Sequence, residues 1–332
     1  MSTHAPARVA IIGAGLMGRW HAHAAARAGA TVAAIVDPNG DRAVQLSARH
    51  PGSRVLEGLD ASSIGRDITI AHVCTPLSTH AGIVAPLIDA GVHVLAEKPL
   101  TGDARSTAAL LESAQGRGVL LCPVHQMPFQ RGVQSLIAEI EALGELLHVE
   151  FSACTAGAVG KGDADQDSLV DDILPHPLSV FRRLVAADMA SLDWQVRRPR
   201  AGEFRAFATV GPRVVSISVS THGRPTSNSL RVVGERATAS VDLYHGFVVV
   251  HGGRVSRAGK MLRPFLDAAG TAAAAALNLA TRVVTVEPAY PGLATLVRAF
   301  YAATKGEGAV PISSEETLDI ARARDLLRAA GS

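Results

Sequence analysis

Lys98, Asp172 and His176 are the side chains of this 332-residue chain whose types and spacing suit proton transfer. A lysine set against a substrate oxygen can hold a hydroxyl for hydride loss, or donate a hydrogen bond to the carbonyl that results. Asp172 and His176 lie four residues apart, so on a helical turn they share one face, and a carboxylate there can orient an imidazole as general base for an alcohol. Each has a plainer reading. A lysine at a strand end is most often simply solvated, and a histidine between Pro175 and Pro177 can be a rigidly held structural residue. The spacing to Asp172 shifts the balance toward chemistry.

A second constellation binds rather than reacts. Arg8 to Ile12 runs straight into Gly13-Ala14-Gly15-Leu16-Met17-Gly18 and then into an alanine-rich segment, Ala22 to Ala28, which is a buried strand, a glycine turn and a helix start. Gly13 permits the tight turn, Gly15 lets backbone approach a pyrophosphate, and Gly18 lets the helix pack closely on the strand. The helix N-terminus then faces phosphates with unpaired N–H groups and a partial positive charge. In a chain with 31 glycines the spacing alone is weak, and the context carries the argument. The next strand, Thr31 to Val36, ends on Asp37, nineteen residues after Gly18. That is close to the roughly 20-residue spacing of a carboxylate that binds the adenosine ribose hydroxyls. Asp37 therefore favours NAD, while Arg42, a helical turn on, keeps NADP as a minority option. Asp37-Pro38-Asn39-Gly40 also suits a turn, and the two roles are compatible.

The elements that must position these groups follow from periodicity. After Asp41 to His50 as helix come a β-branched run Ile68 to Cys74, a helix Ala81 to Ala90, a strand Val92 to Ala96, a helix Ala104 to Gln115 and a strand Val119 to Cys122. That alternation predicts a doubly wound α/β domain, a parallel sheet covered on both faces, ending near residue 124. From Leu146 onward strands follow one another without long helices between them (146–155, 205–210, 214–220, 229–233, 237–243, 247–250), which predicts an antiparallel sheet. A helix from Val133 to Leu143, ended by Gly144, bridges the halves. A last helix opens with a capping box, Ser313 to Glu316, and runs to about Ala330 with Ile320, Ala323 and Leu327 on one face. The domains expected are 1–124 for the dinucleotide, 125–312 for substrate and oligomer contacts, and 313–332 as a helix returning to brace the first. Ligands of open α/β sheets sit past the carboxyl ends of the strands. Those ends are Gly13 to Gly18, Asp37, Thr75-Pro76, Glu97-Lys98-Pro99 and His125-Gln126.

Composition excludes several classes. With 48% hydrophobic residues, 19% charged and a net charge of +2, the chain is neither disordered nor a general nucleic-acid binder. Cys74, Cys122 and Cys154 are odd in number and sit in apolar runs, as buried thiols of a cytoplasmic protein would, with no zinc spacing. Met1 to Ala7 lacks the pattern of a secretory signal. Residues 68 to 88 carry no Asp, Glu, Lys or Arg, but two prolines and two histidines there argue against a membrane span. Residues 185 to 265 hold twelve Arg or Lys against five Asp or Glu. Beside Met261 to Leu266, such a surplus could attract a nucleotide sugar, an anionic lipid-linked substrate or a membrane surface. A solvated sheet face with an interfacial helix of a homo-oligomer is the plainer account.

These residues together resemble the Gfo/Idh/MocA oxidoreductases: the glycine turn, Asp37-Pro38, Thr75-Pro76 followed by Ser78-Thr79-His80, Glu97-Lys98-Pro99, and Asp172-x-x-x-His176. The resemblance implies a Rossmann domain followed by an α/β domain with an open, mainly antiparallel sheet commonly used for oligomer contacts. It implies NAD(P)-dependent hydride transfer on a sugar, cyclitol, nucleotide-sugar or related hydroxyl or carbonyl. By the same resemblance His176 is acid/base, Lys98 hydrogen-bonds the reacting oxygen and Asp172 completes the catalytic set. Gly13, Gly15, Leu16, Met17, Gly18, Asp37, Thr75, Pro76, His80, Glu97 and Lys98 would surround the cofactor, without a metal. A non-redox glycosidase or lyase that oxidises transiently, and a cofactor-binding protein without turnover, are the alternatives. Two departures concern the substrate: Leu174 stands where the family often has glycine in Asp-x-Gly-x-His, and Lys260 to Thr281 is an unusual alanine-rich stretch. Specificity is expected from loops 156–172 and 222–228, and a sheet with one exposed apolar face favours a homo-oligomer, dimer or tetramer.

Overall fold

The computed structural model describes residues 6–58, 68–252 and 257–330; the start of the segment read for a signal, Met1 to Ala5, and the chain's last two residues lie outside them. The chain divides into two compact units, residues 1–125 with 293–321, and residues 126–292 with 322–332.

The first unit contains β1 (Arg8–Ile12), α1 (Leu16–Arg27), β2 (Thr31–Val36), α2 (Gly40–Ser47), β3 (Arg54–Leu56), β4 (Ile70–Val73), α3 (His80–Asp89), β5 (His93–Ala96), α4 (Ala104–Arg117) and β6 (Leu121–Pro123). All six strands are parallel, in the order β3-β2-β1-β4-β5-β6. Val9 to Ile12, Val32 to Val36 and Ile70 to Val73 are almost wholly buried. Strands covered on both faces need continuous apolar runs, and these supply them. The order reverses direction between β1 and β4, and at that point the doubly wound fold opens its ligand crevice.

The second unit contains α5 (Arg131–Ala138), β7 (Leu146–Cys154), α6 (Asp163–Ile173), α7 (Pro175–Val185), β8 (Gln195–Arg197), β9 (Glu203–Val210), β10 (Arg213–Ser220), β11 (Ser227–Gly234), β12 (Ala237–Asp242), β13 (Phe247–Gly252) and α8 (Arg257–Thr285). Its sheet runs β13-β12-β11-β7-β10-β9-β8 and is antiparallel except where β10 lies parallel to β7. Alternation along the strands buries Val149, Phe151, Val215, Ile217, Leu230 and Val232 on one face.

Five sequence expectations need correction. Two helices, α6 and α7, interrupt the run of strands: the first is acid-rich with only Val170 buried, and the second opens on two prolines although it buries Leu178, Phe181, Leu184 and Val185 at helical spacing. The helix expected to run through Leu143 is α5 followed by a short 3₁₀ turn, Ile140–Leu143. The second sheet's other face is mainly polar, with Ser152, Ser216, Ser218 and Ser240 half-exposed beside an exposed Phe207. The exposed apolar side chains gather instead on α8. Residues 293–312, expected in the second domain, include α9 (Leu293–Thr304), which belongs to the first unit and packs there on α1. Finally, α10 (Ser314–Ala330) is shared. Leu318 packs against the first unit's core, whereas residues from Arg322 onward group with the second unit, where Arg328 Nε donates to Asp171 at 3.0 Å.

Candidate active site

In the first unit, the glycine turn sits where three backbones converge. Gly13 has φ +97°, and a Cβ there would stand 2.7 Å from the Cys74 carbonyl oxygen. A Cβ on Gly18 would stand 1.7 Å from the Gly13 carbonyl oxygen, so no side chain fits without moving the turn. Gly15 differs: a Cβ there meets nothing within 4 Å. It is the N-cap of α1 and supplies no side-chain cap, so the helix presents its first N–H groups to open space, which fits an anionic diphosphate. Leu16 and Met17 open the helix, Leu16 being half exposed. Asp37 is buried at the end of β2; its Oδ2 accepts from the Ala14 N–H at 2.7 Å and its Oδ1 from the Asn39 N–H at 2.8 Å. The carboxylate thus fastens the second strand's end to the glycine turn and still has lone pairs for two hydroxyls. These residues fit a dinucleotide.

Past β4, Thr75 and Pro76 lead into a short 3₁₀ turn, where Thr79 Oγ1 donates to the Thr75 hydroxyl and to the Pro76 carbonyl. His80 is buried, and its ring nitrogens face the carbonyl oxygens of Thr75 at 2.9 Å and of Pro99 at 3.1 Å. Its imidazole therefore braces the loop after β4 against the loop after β5, with its nitrogens spent on backbone. Lys98 follows β5, half-exposed, and precedes a cis peptide bond to Pro99.

Glu97 anchors Lys98 from behind. One carboxylate oxygen accepts from the Lys98 N–H at 3.2 Å; the other accepts from His21 Nε2 at 3.0 Å. His21 Nδ1 lies 2.9 Å from His72 Nδ1, and His72 Nε2 lies 2.7 Å from the Tyr301 hydroxyl. One proton order satisfies this chain with both imidazoles neutral: Tyr301 donates to His72, His72 to His21, and His21 to Glu97. Burial pushes the His72 pKa well below 6.5, helped by His21, and raises that of Tyr301. Burial also raises the Cys74 thiol, with the Glu97 carboxylate adding to it. Neither the histidine pair nor Tyr301 was singled out from the sequence. An i to i+51 pairing of histidines leaves no local signal.

In the second unit, Asp172 ends α6 and His176 lies in the first turn of α7. Leu174 joins them in right-handed helical conformation, φ −52° and ψ −37°. It is fully buried, so leucine replaces the family's glycine without strain at a position that needs no positive φ. Pro175 and Pro177 fall where helix N–H groups have no intrahelical acceptor, so they cost no hydrogen bond and fix the backbone on either side of His176. Asp171 is tied to Arg198 at 2.8 Å and to Arg328 at 3.0 Å. Burial and the neighbouring Arg328 lower the pKa of Arg324, an effect opposed by the carboxylates of Asp171, Asp325 and Asp172.

His176 lines a cavity of about 870 Å³ together with Gln126, Gln130, Asn228, Tyr244 and Tyr290. Segment 156–172, expected to set specificity, is helical from Asp163 and does not reach this cavity; of 222–228 only Asn228 does. The walls come instead from the turn after β12, from the last turns of α8 and from residues 288–291. Tyr290-Pro291-Gly292 signalled a turn, but nothing local said where that turn would lie. Gly292 has φ +90°, and a Cβ there would stand 2.4 Å from the Gln126 carbonyl oxygen, so glycine allows this loop to settle on the Gln126–Gln130 backbone. Part of the basic surplus is engaged inside the unit, and Arg254 lies outside the described residues. Arg205 bonds Glu203 and the Phe204 and Val219 carbonyls, while Arg224 bonds the Thr155, Thr221 and Gly223 carbonyls. No cluster of metal-ligating side chains occurs among the described residues, and no described helix is long and apolar enough to cross a membrane.

A glycine turn at the switch point of a 3-2-1-4-5-6 parallel sheet, closed by a carboxylate after the second strand, defines a dinucleotide-binding protein of the Rossmann class. Residues 7–125 match the family described as an oxidoreductase family with an NAD-binding Rossmann fold. Over 266 residues the chain is 30% identical to inositol 2-dehydrogenase of Rhodococcus erythropolis, covering 75% of each. The chain belongs to the Gfo/Idh/MocA oxidoreductase family. The fold likeness extends over the whole length. UDP-N-acetylglucosamine 3-dehydrogenase from Acidithiobacillus ferrooxidans matches with a TM-score of 0.76 at 21% identity, over 99% of this chain and 98% of that one. A 3-ketoreductase from Actinomadura kijaniata, solved with NADP, matches with a TM-score of 0.74 at 21% identity, over 98% of each.

Proposed function

We propose that the protein oxidises, reversibly, a secondary hydroxyl of a hydroxylated ring at the expense of NAD, with His176 as acid/base, Lys98 as hydrogen-bond donor to the reacting oxygen and Asp172 as the carboxylate that supports the imidazole. The observation that carries this reading is His176 itself: a prolyl-clamped imidazole at the start of a helix, lining a cavity that also holds three side-chain amides. Inositol 2-dehydrogenase activity in a relative 30% identical over three quarters of the chain supports a cyclitol or sugar ring.

Gly13, Gly15, Leu16, Met17 and Gly18 would hold the diphosphate and Asp37 the ribose, with Thr75, Pro76 and Lys98 toward the other end of the cofactor. Bound there, the nicotinamide supplies the hydride acceptor. As the hydroxyl is oxidised His176 takes its proton, and in the reverse direction returns it. Lys98, its backbone held by the Glu97 carboxylate, is the hydrogen-bond donor proposed for the reacting oxygen. NAD is favoured over NADP because a 2′-phosphate would meet the buried Asp37 carboxylate. Three cysteines outside any disulfide support residence in the cytoplasm, and the exposed apolar side chains of α8 support a homo-oligomer.

The test is substitution. Lys98→Ala and His176→Ala are each expected to lower turnover about 100-fold or more, the usual scale for acid/base groups, while NAD affinity of His176→Ala stays near that of the parent protein. Unaltered turnover in both variants would refute the assignment.

A further inference from the structure

The lining of the cavity around His176 is of two unlike kinds, and their chemistry narrows the substrate. The side-chain carbonyl oxygens of Gln126, Gln130 and Asn228 are buried and accept no hydrogen bond from any described residue. Gln130 is fixed by its other end, Nε2 donating to the Leu243 carbonyl at 2.9 Å, so its Oε1 keeps its place as an acceptor. Buried acceptors of this kind are costly unless a donor arrives, and three beside one imidazole call for a ligand that carries several hydroxyls.

The rest of the lining is mostly apolar. Leu243, Leu279, Val283, Val286, Pro288 and Pro291 form most of its wall, with the rings of Tyr244 and Tyr290. Val286 and Tyr290 both hold left-handed backbone, φ +52° and +50°, a costly conformation that clusters at ligand sites. Among the described residues no Lys, Asp or Glu lines the cavity. The lining arginine, Arg282, is occupied: Nε donates to the Glu287 carbonyl at 3.0 Å and the terminal nitrogens to the carbonyls of His245 and Pro288. His245 pairs with Asp242 at 2.8 Å. A diphosphate therefore finds no uncommitted cation among the described lining residues. At about 870 Å³ the volume lies in the upper part of the roughly 300–1,000 Å³ of small-molecule pockets, more than one six-membered ring fills.

We propose that the substrate is an uncharged hydroxylated ring carrying an apolar or aromatic appendage, as in an aryl or alkyl glycoside, with its hydroxyls on the three amides and the appendage along the last turns of α8. This rests on the reading of His176 as the acid/base but concerns what the cavity binds, and binding can be measured apart from turnover.

The experiment compares glucose, galactose, phenyl β-glucoside, phenyl β-galactoside, UDP-glucose and UDP-galactose by calorimetry in the presence of NAD, with reduced-nicotinamide absorbance recorded in parallel. At least one phenyl glycoside is expected to bind about 100-fold more tightly than its parent sugar, the scale of burying one apolar ring, and more tightly than the UDP-sugar. Val283→Asp, at an exposed wall position, is expected to cut the ratio of phenyl glycoside to parent-sugar affinity at least tenfold, a ratio that general loss of folded protein would leave alone. The proposal is overturned if no phenyl glycoside outbinds its parent sugar, if a UDP-sugar binds most tightly, or if the Val283→Asp ratio is unchanged. Preferential binding of phenyl glycosides without reduced nicotinamide from any probe would uphold the cavity chemistry and sink the redox reading instead. Turnover of the sugars with no such preference would do the reverse.

Discussion

At the scale of single residues, the three glycines of the turn serve different ends, and substitution should separate them. Gly18 has backbone where a Cβ would go, whereas Gly15 has open space. Gly18→Ala is accordingly expected to lower thermal stability, because the Gly13 carbonyl must move. Gly15→Val is expected to leave the melting temperature of the free protein nearly unchanged, yet to abolish the stabilisation that NAD confers, since a ligand that binds only the folded state raises stability with the logarithm of its concentration over Kd. Melting curves of both variants, with and without NAD, check this; a Gly15→Val protein that NAD still stabilises would show the diphosphate lodging elsewhere. Asp37 combines the two duties its sequence context allows: its carboxylate builds the turn by accepting two backbone N–H groups and remains able to accept from a ribose.

At the scale of elements, α1, β4 and α9 share the buried relay of His21, His72 and Tyr301. The His72 pKa is lowered by burial from 6.5, so the folded chain keeps that imidazole neutral. Unfolding restores the ordinary value, so below about pH 6.5 the unfolded state binds a proton that the folded state refuses. Stability is full above that pH and falls as pH drops, by up to about 1.4 kcal/mol per pH unit for this one group. His50 and His93, also lowered by burial, act in the same direction. Urea melts at pH 7.5 and 5.5 should show the fall, and His72→Phe should lower stability at both while shrinking the difference between them. An undiminished difference would mean that other groups carry the pH dependence.

At the scale of the whole molecule, α8 exposes Met261, Leu262, Phe265, Leu266, Leu277 and Val284, a stripe too apolar for a solvated helix. Light scattering is expected to find more than one chain per particle, and Met261→Glu with Phe265→Glu to reduce the particle mass; a parent protein that is already monomeric would remove the basis for self-association through this helix. The cofactor half of the molecule was legible because its signals are local. A strand running into Gly13-Ala14-Gly15 and on to Gly18 is a few consecutive residues obeying hard steric rules, and the apolar runs of a doubly covered sheet announce themselves without knowledge of their partners. Lys98 and the Asp172 and His176 pair stood out as candidates for the same reason. What the chain's order alone could not reveal is everything that depends on which distant segments meet. The chain's far end lends α9 to the first unit and the last turns of α10 to the second, and His72 finds Tyr301 across 229 positions of sequence. The wall of the His176 cavity is drawn from five separated stretches. Such encounters are selected by burial of apolar area and by satisfaction of buried polar groups, energies that belong to the assembled three-dimensional packing and leave no periodic trace along the backbone.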